Sequence, residues 1–161
     1  MKYEAYIDGS YKKYPNGVEL YSSATIIAAE GTSDWASLTQ CGNEEIWIGM
    51  HNVAGELVAA IQTFKYCIET LKLQQGDELR LNYDYKGIHN WLRKPGDKDY
   101  WRQNTPATQA YRAFYLQNVA PRFKVTFRHT PGHSGILGND IVDKLAKETM
   151  QKHYEKLIIG G

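Results

Sequence analysis

The sequence predicts an α/β fold in which helices pack against a mixed sheet. The first third of the chain carries the two-residue alternation of strands, and the remainder alternates between helical apolar spacing and short strand-like runs. Three consecutive strands followed by alternating helix and strand are typical of a sheet with both antiparallel and parallel pairs. A length of 161 residues is usual for one domain, so we predict a single domain over 1–161 with its core at about 3–150.

Three strands are predicted in the first fifty residues. Residues 3–8 alternate and are rich in β-formers, and the Pro-Asn-Gly group at 15–17 marks a turn before a second β-like run over 18–29. Residues 30–45 are rich in Gly, Ser, Thr and Asn, so they are predicted to form a loop. The apolar residues 46–50 are then predicted to form the third strand.

The rest of the chain alternates between the apolar spacing of helices and that of strands. Apolar residues recur every three to four positions after Glu56, which predicts a helix. The predicted elements in order are a helix from Glu56 to about Gly76, a strand over 78–83, a short helix through Ile88 and Leu92, a polar loop over 94–99, a helix from Thr105-Pro106 to Pro121, a strand over 124–128 and a helix over 139–153.

The composition of the chain indicates its cellular compartment and the kind of partner that it can bind. The net charge of +1 and the pI of about 7.7 give no overall attraction for a polyanion, so nucleic-acid binding would have to rest on local sites. Cys41 and Cys67 have no neighbouring ligands at metal spacing and are too few for a disulfide scaffold, which favours a reducing compartment. No long apolar run is present, so we predict a cytoplasmic protein without membrane contact.

Several acidic residues lie at predicted strand ends and helix starts, which is where open α/β sheets place their functional sites. Asp8 and Asp84 close predicted strands, Glu56 opens a helix, and Asp143 lies in the first turns of another. Four carboxylates brought together would repel one another, and oxygen-only ligands favour Mg²⁺ or Mn²⁺ over Zn²⁺. Taken singly, Glu56 could only stabilise the helix dipole and Asp143 could simply be solvated.

Four motifs in this order resemble those of type 1 ribonucleases H. The resemblance runs from about residue 3 to 148, and the last motif is the most specific because it sets a His, an Asn and an Asp at defined intervals. It implies a ribonuclease H-like five-stranded mixed sheet with helices packed on both faces. The motifs are Tyr6-Ile7-Asp8-Gly9-Ser10, Asn52-Val53-Ala54-Gly55-Glu56, Asn82-Tyr83-Asp84, and Gly132-His133-Ser134-Gly135 with the segment from Asn139 to Ala146.

The resemblance also implies an activity and a set of site residues. Proteins of this family hydrolyse the RNA strand of RNA–DNA hybrids with two Mg²⁺ ions, Mn²⁺ being a possible substitute, and leave 5′-phosphates. By that similarity the metal ligands are Asp8, Glu56, Asp84 and Asp143, and His133 assists catalysis. The expected partner is the hybrid, bound by a monomer.

For two positions in the last motif, a second residue nearby could fill the same role. Asp140 competes with Asp143 for the fourth metal position, and the intervals from the preceding motif residues favour Asp143. His129 competes with His133 in the same way. We favour His133, because it is flanked by glycines in a loop, whereas His129 directly follows the last predicted strand.

The substrate contacts implied by the resemblance are less specific. Ser10, Asn52 and Asn139 occupy motif positions, and Asn52 would lie against the substrate backbone, although it could equally cap a helix. His51 stands where many relatives have a threonine of the pocket that holds a DNA phosphate, so the chemistry of that pocket differs here. No room is expected for an N-terminal hybrid-binding domain before Tyr3.

A short basic loop resembles a reduced form of the longer basic protrusion of many bacterial relatives. Its cations, Lys94 among them, would contact phosphates, and the alternative is a solvated loop. The loop comprises Arg93, Lys94, Lys98 and Arg102 with the aromatic residues Trp91, Tyr100 and Trp101.

Two other functions compete with this hypothesis. One is a nucleic-acid-binding module that has lost turnover, against which the presence of all four acids argues. The other is a nuclease of the same fold that acts on DNA, against which the glycine-flanked His133 argues.

Overall fold

A computed structural model describes residues 1–132 and 135–160. Its sheet has five strands in the order β3-β2-β1-β4-β5. The elements are β1 (Lys2–Lys13), β2 (Glu19–Ala29), β3 (Ala36–Gly42), α1 (Glu45–Ile48), a 3-10 turn (His51–Val53), α2 (Ala54–Glu69), β4 (Glu78–Tyr83), α3 (Gly87–Asn90), α4 (Pro106–Phe114) continuing as a π-helical turn (Tyr115–Val119), β5 (Lys124–His129) and α5 (Leu137–Gly160).

The sheet is mixed, as predicted. β1 pairs with β2 and β2 with β3 in antiparallel fashion, whereas β1 pairs with β4 and β4 with β5 in parallel. Parallel pairing of β1 with β4 brings the carboxyl end of β4 beside the middle of the long strand β1, because Tyr6 pairs with Asn82. Asp8 and Asp84, each two residues further on, therefore lie side by side.

Helices cover both faces of this sheet. The larger core lies under α2 and α4, where Leu57, Phe64 and Tyr111 are fully buried against the inward residues of β1 and β4. On the opposite face α5 packs Val142 and Ala146 against β2. The predicted five-stranded mixed sheet with helices on both faces is thus confirmed.

The predicted third strand is wrong. Residues 46–50 lie in α1 and the residues after it, and the strand is formed by Ala36–Gly42, which was predicted to be a loop. Short apolar runs do not distinguish a strand from a buried helical turn, and Trp47 packs on Tyr21 and Val58 as part of such a turn. β3 escaped prediction because it is an edge strand without a fully buried residue and without a clear apolar alternation.

The remaining elements agree with the prediction apart from their ends. The prediction that Asp8 closes the first strand is wrong, because β1 continues to Lys13 by pairing with β2. The helix predicted from Glu56 begins two residues earlier at Ala54 and ends at Glu69. Thr105 caps α4 by accepting a hydrogen bond from the backbone N–H of Thr108 at 3.2 Å, and Pro106 follows at the first helical position. Among the described residues, no helix is long and apolar enough to span a bilayer.

Candidate active site

Two glycines bring the start of α2 into backbone contact with β1. A Cβ atom on Gly9 would collide with the backbone of Gly55 and Glu56, and one on Gly55 would collide with the carbonyl oxygen of Ser22. Because neither glycine carries a side chain, the helix begins directly on the sheet. This contact places Glu56 beside Asp8.

Glu56 is buried and held by the backbone that follows β4. Its Oε1 accepts a hydrogen bond from the N–H of Asp84 and its Oε2 accepts one from the N–H of Tyr85, both at 2.9 Å. Burial raises the pKa of Glu56 to about 8, these two hydrogen bonds oppose the rise, and the charges of Asp8 and Asp84 add to it. Glu56 therefore links α2 to the end of β4 and is not a free helix-dipole residue.

Asp8 lies at the centre of the acidic group. Its Oδ1 accepts a hydrogen bond from the N–H of Gly9 at 2.8 Å. Burial is the main cause that raises the pKa of Asp8 to about 7, the hydrogen bond from Gly9 opposes the rise, and the charges of Asp143 and Asp84 add to it. Asp8 is thus both buried and close to carboxylates from two other elements.

Asp84 faces the chain that follows β5. Its Oδ1 accepts a hydrogen bond from the N–H of Gly132 at 2.8 Å, and its backbone oxygen lies 2.6 Å from Nε2 of His129. Asp84 is thus tied to both sides of the site, to Glu56 through its own N–H and to the residues after β5 through its side chain.

Asp143 reaches the site from α5 and is more exposed. Its side chain is 42% exposed and pairs with Lys147, one helical turn later, at 3.1 Å. The rival residue Asp140 lines the same cavity as Asp8 and Asp143. The charge of Asp143, and not that of Asp140, contributes to the raised pKa of Asp8.

The four carboxylates line two adjoining cavities. Asp8 and Asp84 lie on both, Asp143 completes a cavity of about 130 Å³ on the α5 side, and Glu56 lies on a larger open cleft on the α2 side. Four acids that are far apart in the chain thus converge, as the sequence predicts. The two shared residues divide the group into an α2 half and an α5 half.

The donor chemistry of this group fits hard divalent cations. Carboxylate oxygens are the ligands that Mg²⁺ and Mn²⁺ prefer. The pKa values of Asp8 and Glu56 are raised first by burial and then by neighbouring carboxylates, and a cation would offset that negative charge. Within 1–132 and 135–160, no three Asp, Glu, His or Cys side chains lie close enough together to hold a metal ion.

The two histidine candidates differ in what the structure describes. His129 lies at the end of β5 and lines the open cleft with Glu56 and Asp84. His133 and the adjacent Ser134 lie outside the described residues, so the role of His133 remains a prediction.

Two of the predicted substrate residues flank the α2 half. Asn52 is exposed in the 3-10 turn and lines the open cleft. The alternative of a helix cap is wrong, because Val53 holds the N-cap position of α2. His51 has a φ of +50° and its ring lies 5.4 Å from that of Tyr11, on the exposed side of the turn.

The other predicted substrate residues are more dispersed. Ser10 lies on β1 beyond Asp8, partly buried, and Lys94 is exposed in the basic loop. Asn139 lines the α5-side cavity, but both ends of its amide are bonded to Thr130. Thr130 was not singled out in the sequence, since a lone buried threonine after a strand carries no recognisable signal.

The open cleft also has an aromatic wall that the sequence indicated only in part. Trp101 lies on the cleft, and its ring centroid is 5.8 Å from those of Tyr85 and Trp91. Lys86 lines the same cleft. Tyr85 and Lys86 were missed, and their position directly after the motif Asn82-Tyr83-Asp84 was the available signal.

The fold and the converging carboxylates define a ribonuclease H-like protein. The RNase H family model matches residues 2–151, and the chain belongs to this family. The ribonuclease H of Pseudomonas fluorescens strain Pf-5 is 30% identical over 141 residues, covering 81% of this chain and 90% of that protein.

Solved structures show the same fold at lower identity. The N-terminal RNase H domain of rv2228c from Mycobacterium tuberculosis superposes with a TM-score of 0.66 at 14% identity, covering 96% of this chain and 98% of that one. LC11-RNase H1, solved in complex with an RNA/DNA hybrid, has a TM-score of 0.65 at 18% identity and covers 94% and 99%.

Proposed function

We propose that this protein is an endonuclease that hydrolyses the RNA strand of RNA–DNA hybrids with two divalent metal ions and leaves 5′-phosphate ends. One observation carries the proposal: Asp8 and Asp84 line two adjoining cavities, with Glu56 on one and Asp143 on the other. A shared pair of carboxylates between two outer ones provides donors for two cations. The related LC11-RNase H1, whose solved structure contains an RNA/DNA hybrid, supports the choice of substrate.

Asp8, Glu56, Asp84 and Asp143 would hold the metal ions, with Mg²⁺ the expected ion and Mn²⁺ an alternative. When bound, such ions lower the pKa of an attacking water and neutralise charge on the phosphate and the departing 3′ oxygen.

The protein's own groups keep the acids oriented before substrate arrives. The N–H groups of Asp84 and Tyr85 fix both oxygens of Glu56, and the N–H of Gly132 fixes one oxygen of Asp84. Such preorganisation reduces the rearrangement that must accompany binding. His133 would take up or relay a proton, since an unperturbed imidazole has a pKa of about 6.5.

The open cleft beside Glu56 suits a hybrid duplex. Asn52, Trp101 and Lys86 on its wall offer an amide, an aromatic face and a cation, and a 2′-hydroxyl distinguishes RNA from DNA by accepting or donating hydrogen bonds. His51, next to Asn52 and outside the cleft, would face a phosphate of the DNA strand.

The basic loop is held against the body of the protein, which leaves a subset of its cations for substrate. Nη1 of Arg112 donates to the backbone oxygens of Trp91 and Arg93 at 2.8 Å, and the side chain of Arg93 bonds to Asn90. Lys94 is exposed, as are Lys98 and Arg102. We propose that these three cations contact phosphates outside the cleft.

The test is cleavage of end-labelled RNA–DNA hybrid, duplex DNA and duplex RNA of one sequence, with Mg²⁺ and with a chelator. Only the hybrid should be cut, in the RNA strand, and only with Mg²⁺. Digestion of the products by an exonuclease that requires a 5′-phosphate checks the end chemistry. Cleavage of duplex DNA would favour the DNA nuclease, and hybrid binding without turnover would favour the binding module.

A further inference from the structure

We propose that Thr130 and Asn139 form a clamp that positions Asp143 for metal binding, and that Asn139 acts through this clamp rather than by touching substrate. The inference deepens the proposed function and rests on it. Thr130 is the residue after β5 and Asn139 lies in the first turn of α5.

Hydrogen bonds through Thr130 join the end of β4 to the start of α5. The backbone N–H of Thr130 donates to the carbonyl oxygen of Tyr83 at 2.7 Å. The single hydroxyl hydrogen of Thr130 is shared between two acceptors, Oδ1 of Asn139 at 3.1 Å and the carbonyl oxygen of Tyr83 at 3.3 Å, and Nδ2 of Asn139 donates to the carbonyl oxygen of Thr130 at 3.0 Å. Thr130 is only 2% exposed, so these bonds are shielded from water.

Each end of the clamp lies next to a carboxylate of the site. Tyr83 directly precedes Asp84, and Asn139 lies four residues before Asp143, hence one turn away on the same face of α5. The clamp thus fixes the spacing between Asp84 on β4 and Asp143 on α5.

That spacing has to be held against a repulsive force. Asp8, Asp84 and Asp143 line one cavity of about 130 Å³, and α5 carries Asp143 with a partly exposed side chain. Like charges that line one cavity repel one another, so the start of α5 is pushed outward unless hydrogen bonds or a cation hold it. Removing the clamp should therefore weaken metal binding without changing the surface that meets the hybrid.

The known partners of Asn139 argue against a direct substrate role. Its amide oxygen and amide nitrogen each have a bond to Thr130, so a substrate contact would have to replace one of them. Asn139 is only partly exposed, whereas Asn52 on the other side of the site is exposed on the cleft.

The experiment compares two substitutions of Thr130 with a control substitution on β2, at another contact between the sheet and α5. Thr130→Val removes the hydroxyl at nearly constant shape, and Thr130→Ser keeps it. The control, Ser22→Ala, removes the hydrogen bond that the buried Ser22 donates to the carbonyl oxygen of Ala146 at 2.7 Å. It loosens α5 from the sheet without touching a carboxylate of the site.

Mn²⁺ binding to each protein without substrate is measured by calorimetry, and KM for the hybrid and thermal stability are measured alongside. Thr130→Val should bind Mn²⁺ about ten- to a hundredfold more weakly, which is the usual effect of losing a group that orients a metal ligand. KM for the hybrid should stay within about twofold. Thr130→Ser and Ser22→Ala should bind Mn²⁺ like the unaltered protein.

Unchanged Mn²⁺ affinity in Thr130→Val would overturn the clamp, as would an equal loss in Ser22→Ala at matched stability. If Thr130→Val fails to fold, Asn139→Ala replaces it, because this variant leaves the bonds between Thr130 and Tyr83 intact. Asn139→Ala should lose Mn²⁺ affinity to a similar degree. Unchanged Mn²⁺ affinity in that variant would also overturn the clamp. If the unaltered protein cuts no hybrid but the variant still loses Mn²⁺ binding, the result would support the clamp and contradict the proposed function.

Discussion

The two halves of the acidic site are built in different ways. On the α2 side, backbone meets backbone at Gly9 and Gly55, and Glu56 is buried with both oxygens bonded to the N–H groups of Asp84 and Tyr85. On the α5 side, side chains make the connections, through the clamp and through Ser22, and Asp143 remains partly exposed beside Lys147.

We infer from this difference that the α2 half is assembled with the fold and that the α5 half is more adjustable. Backbone contact between two elements fixes the backbone of Glu56 against the sheet, so its place follows once α2 packs. Side-chain connections have rotamer freedom and can be remodelled. We expect substitutions in the α2 half to damage folding and activity together, and substitutions in the clamp of Thr130 and Asn139 to affect metal binding with less effect on stability.

The largest effect is expected at Asp84, which belongs to both halves. Asp84→Asn keeps the size and shape of the side chain and removes its charge, so the protein should stay folded while hybrid cleavage falls by orders of magnitude. Steady-state cleavage and circular dichroism check this. Glu30→Gln, an exposed acid at the end of β2, is the control and should cleave normally.

The two halves can be compared directly by adding a methyl group to each. Gly55→Ala forces a Cβ against the backbone of Ser22 and should cost about 1–3 kcal/mol or more of unfolding free energy together with most of the activity. Gly138→Ala places a Cβ 2.6 Å from the ring of Tyr6, which is a side chain rather than backbone, and should cost less. Urea unfolding measures both; equal losses would remove the distinction between the halves.

The free energy of unfolding should depend on pH through the ionisation of Asp8 and Glu56 on the α2 side of the site. The pKa of Asp8 is about 7 and that of Glu56 about 8 in the fold, against about 3.9 and 4.3 in an unfolded chain, so the folded form binds more protons between these values. The contribution of these two protonated groups to the free energy of unfolding is fully present below the pKa values of the unfolded chain. It is lost as pH rises through the pKa values of the folded protein. With a chelator present, the free energy of unfolding should therefore fall from pH 6.5 to pH 8.5.

The same titration has internal controls. Asp8→Asn should flatten the fall, and saturating Mg²⁺ should reduce it, because a cation replaces the protons. Burial, followed by the charge of Arg93, lowers the pKa of His89 to about 4, so its effect has the opposite sign and lies mostly below pH 6.5. A stability that rises between pH 6.5 and pH 8.5 in chelator would contradict the electrostatic description of the site.

The smallest effect is expected at Lys147, which competes with a cation for Asp143. Lys147→Met should strengthen Mn²⁺ binding by less than about fivefold and change stability by about 0.5 kcal/mol or less, since exposed ion pairs are weak. Lys144→Met is the matched control, because Lys144 pairs with Glu148 at the same spacing on α5 but away from the cavity. A similar change in Mn²⁺ affinity for both would show only a general charge effect.

The sequence by itself determined the strand that carries Asp8, the strand that precedes Asp84, the helices that carry Glu56 and Asp143, and the family. Local periodicity and turn residues encode such elements, and the ordered motifs encode the acids. Edge strand β3 was not predictable in this way, because it mixes small, polar and apolar residues and its pairing with β2 is a long-range choice.

Only the tertiary structure decided how the acids are held. The collision that Gly9 and Gly55 avoid, the hydrogen bonds of Glu56 to the chain after β4, and the bonds between Thr130 and Asn139 all join residues distant in the chain. No local pattern records such contacts, because each depends on how two separately encoded elements pack. The division of the site into a rigid and an adjustable half follows from that packing.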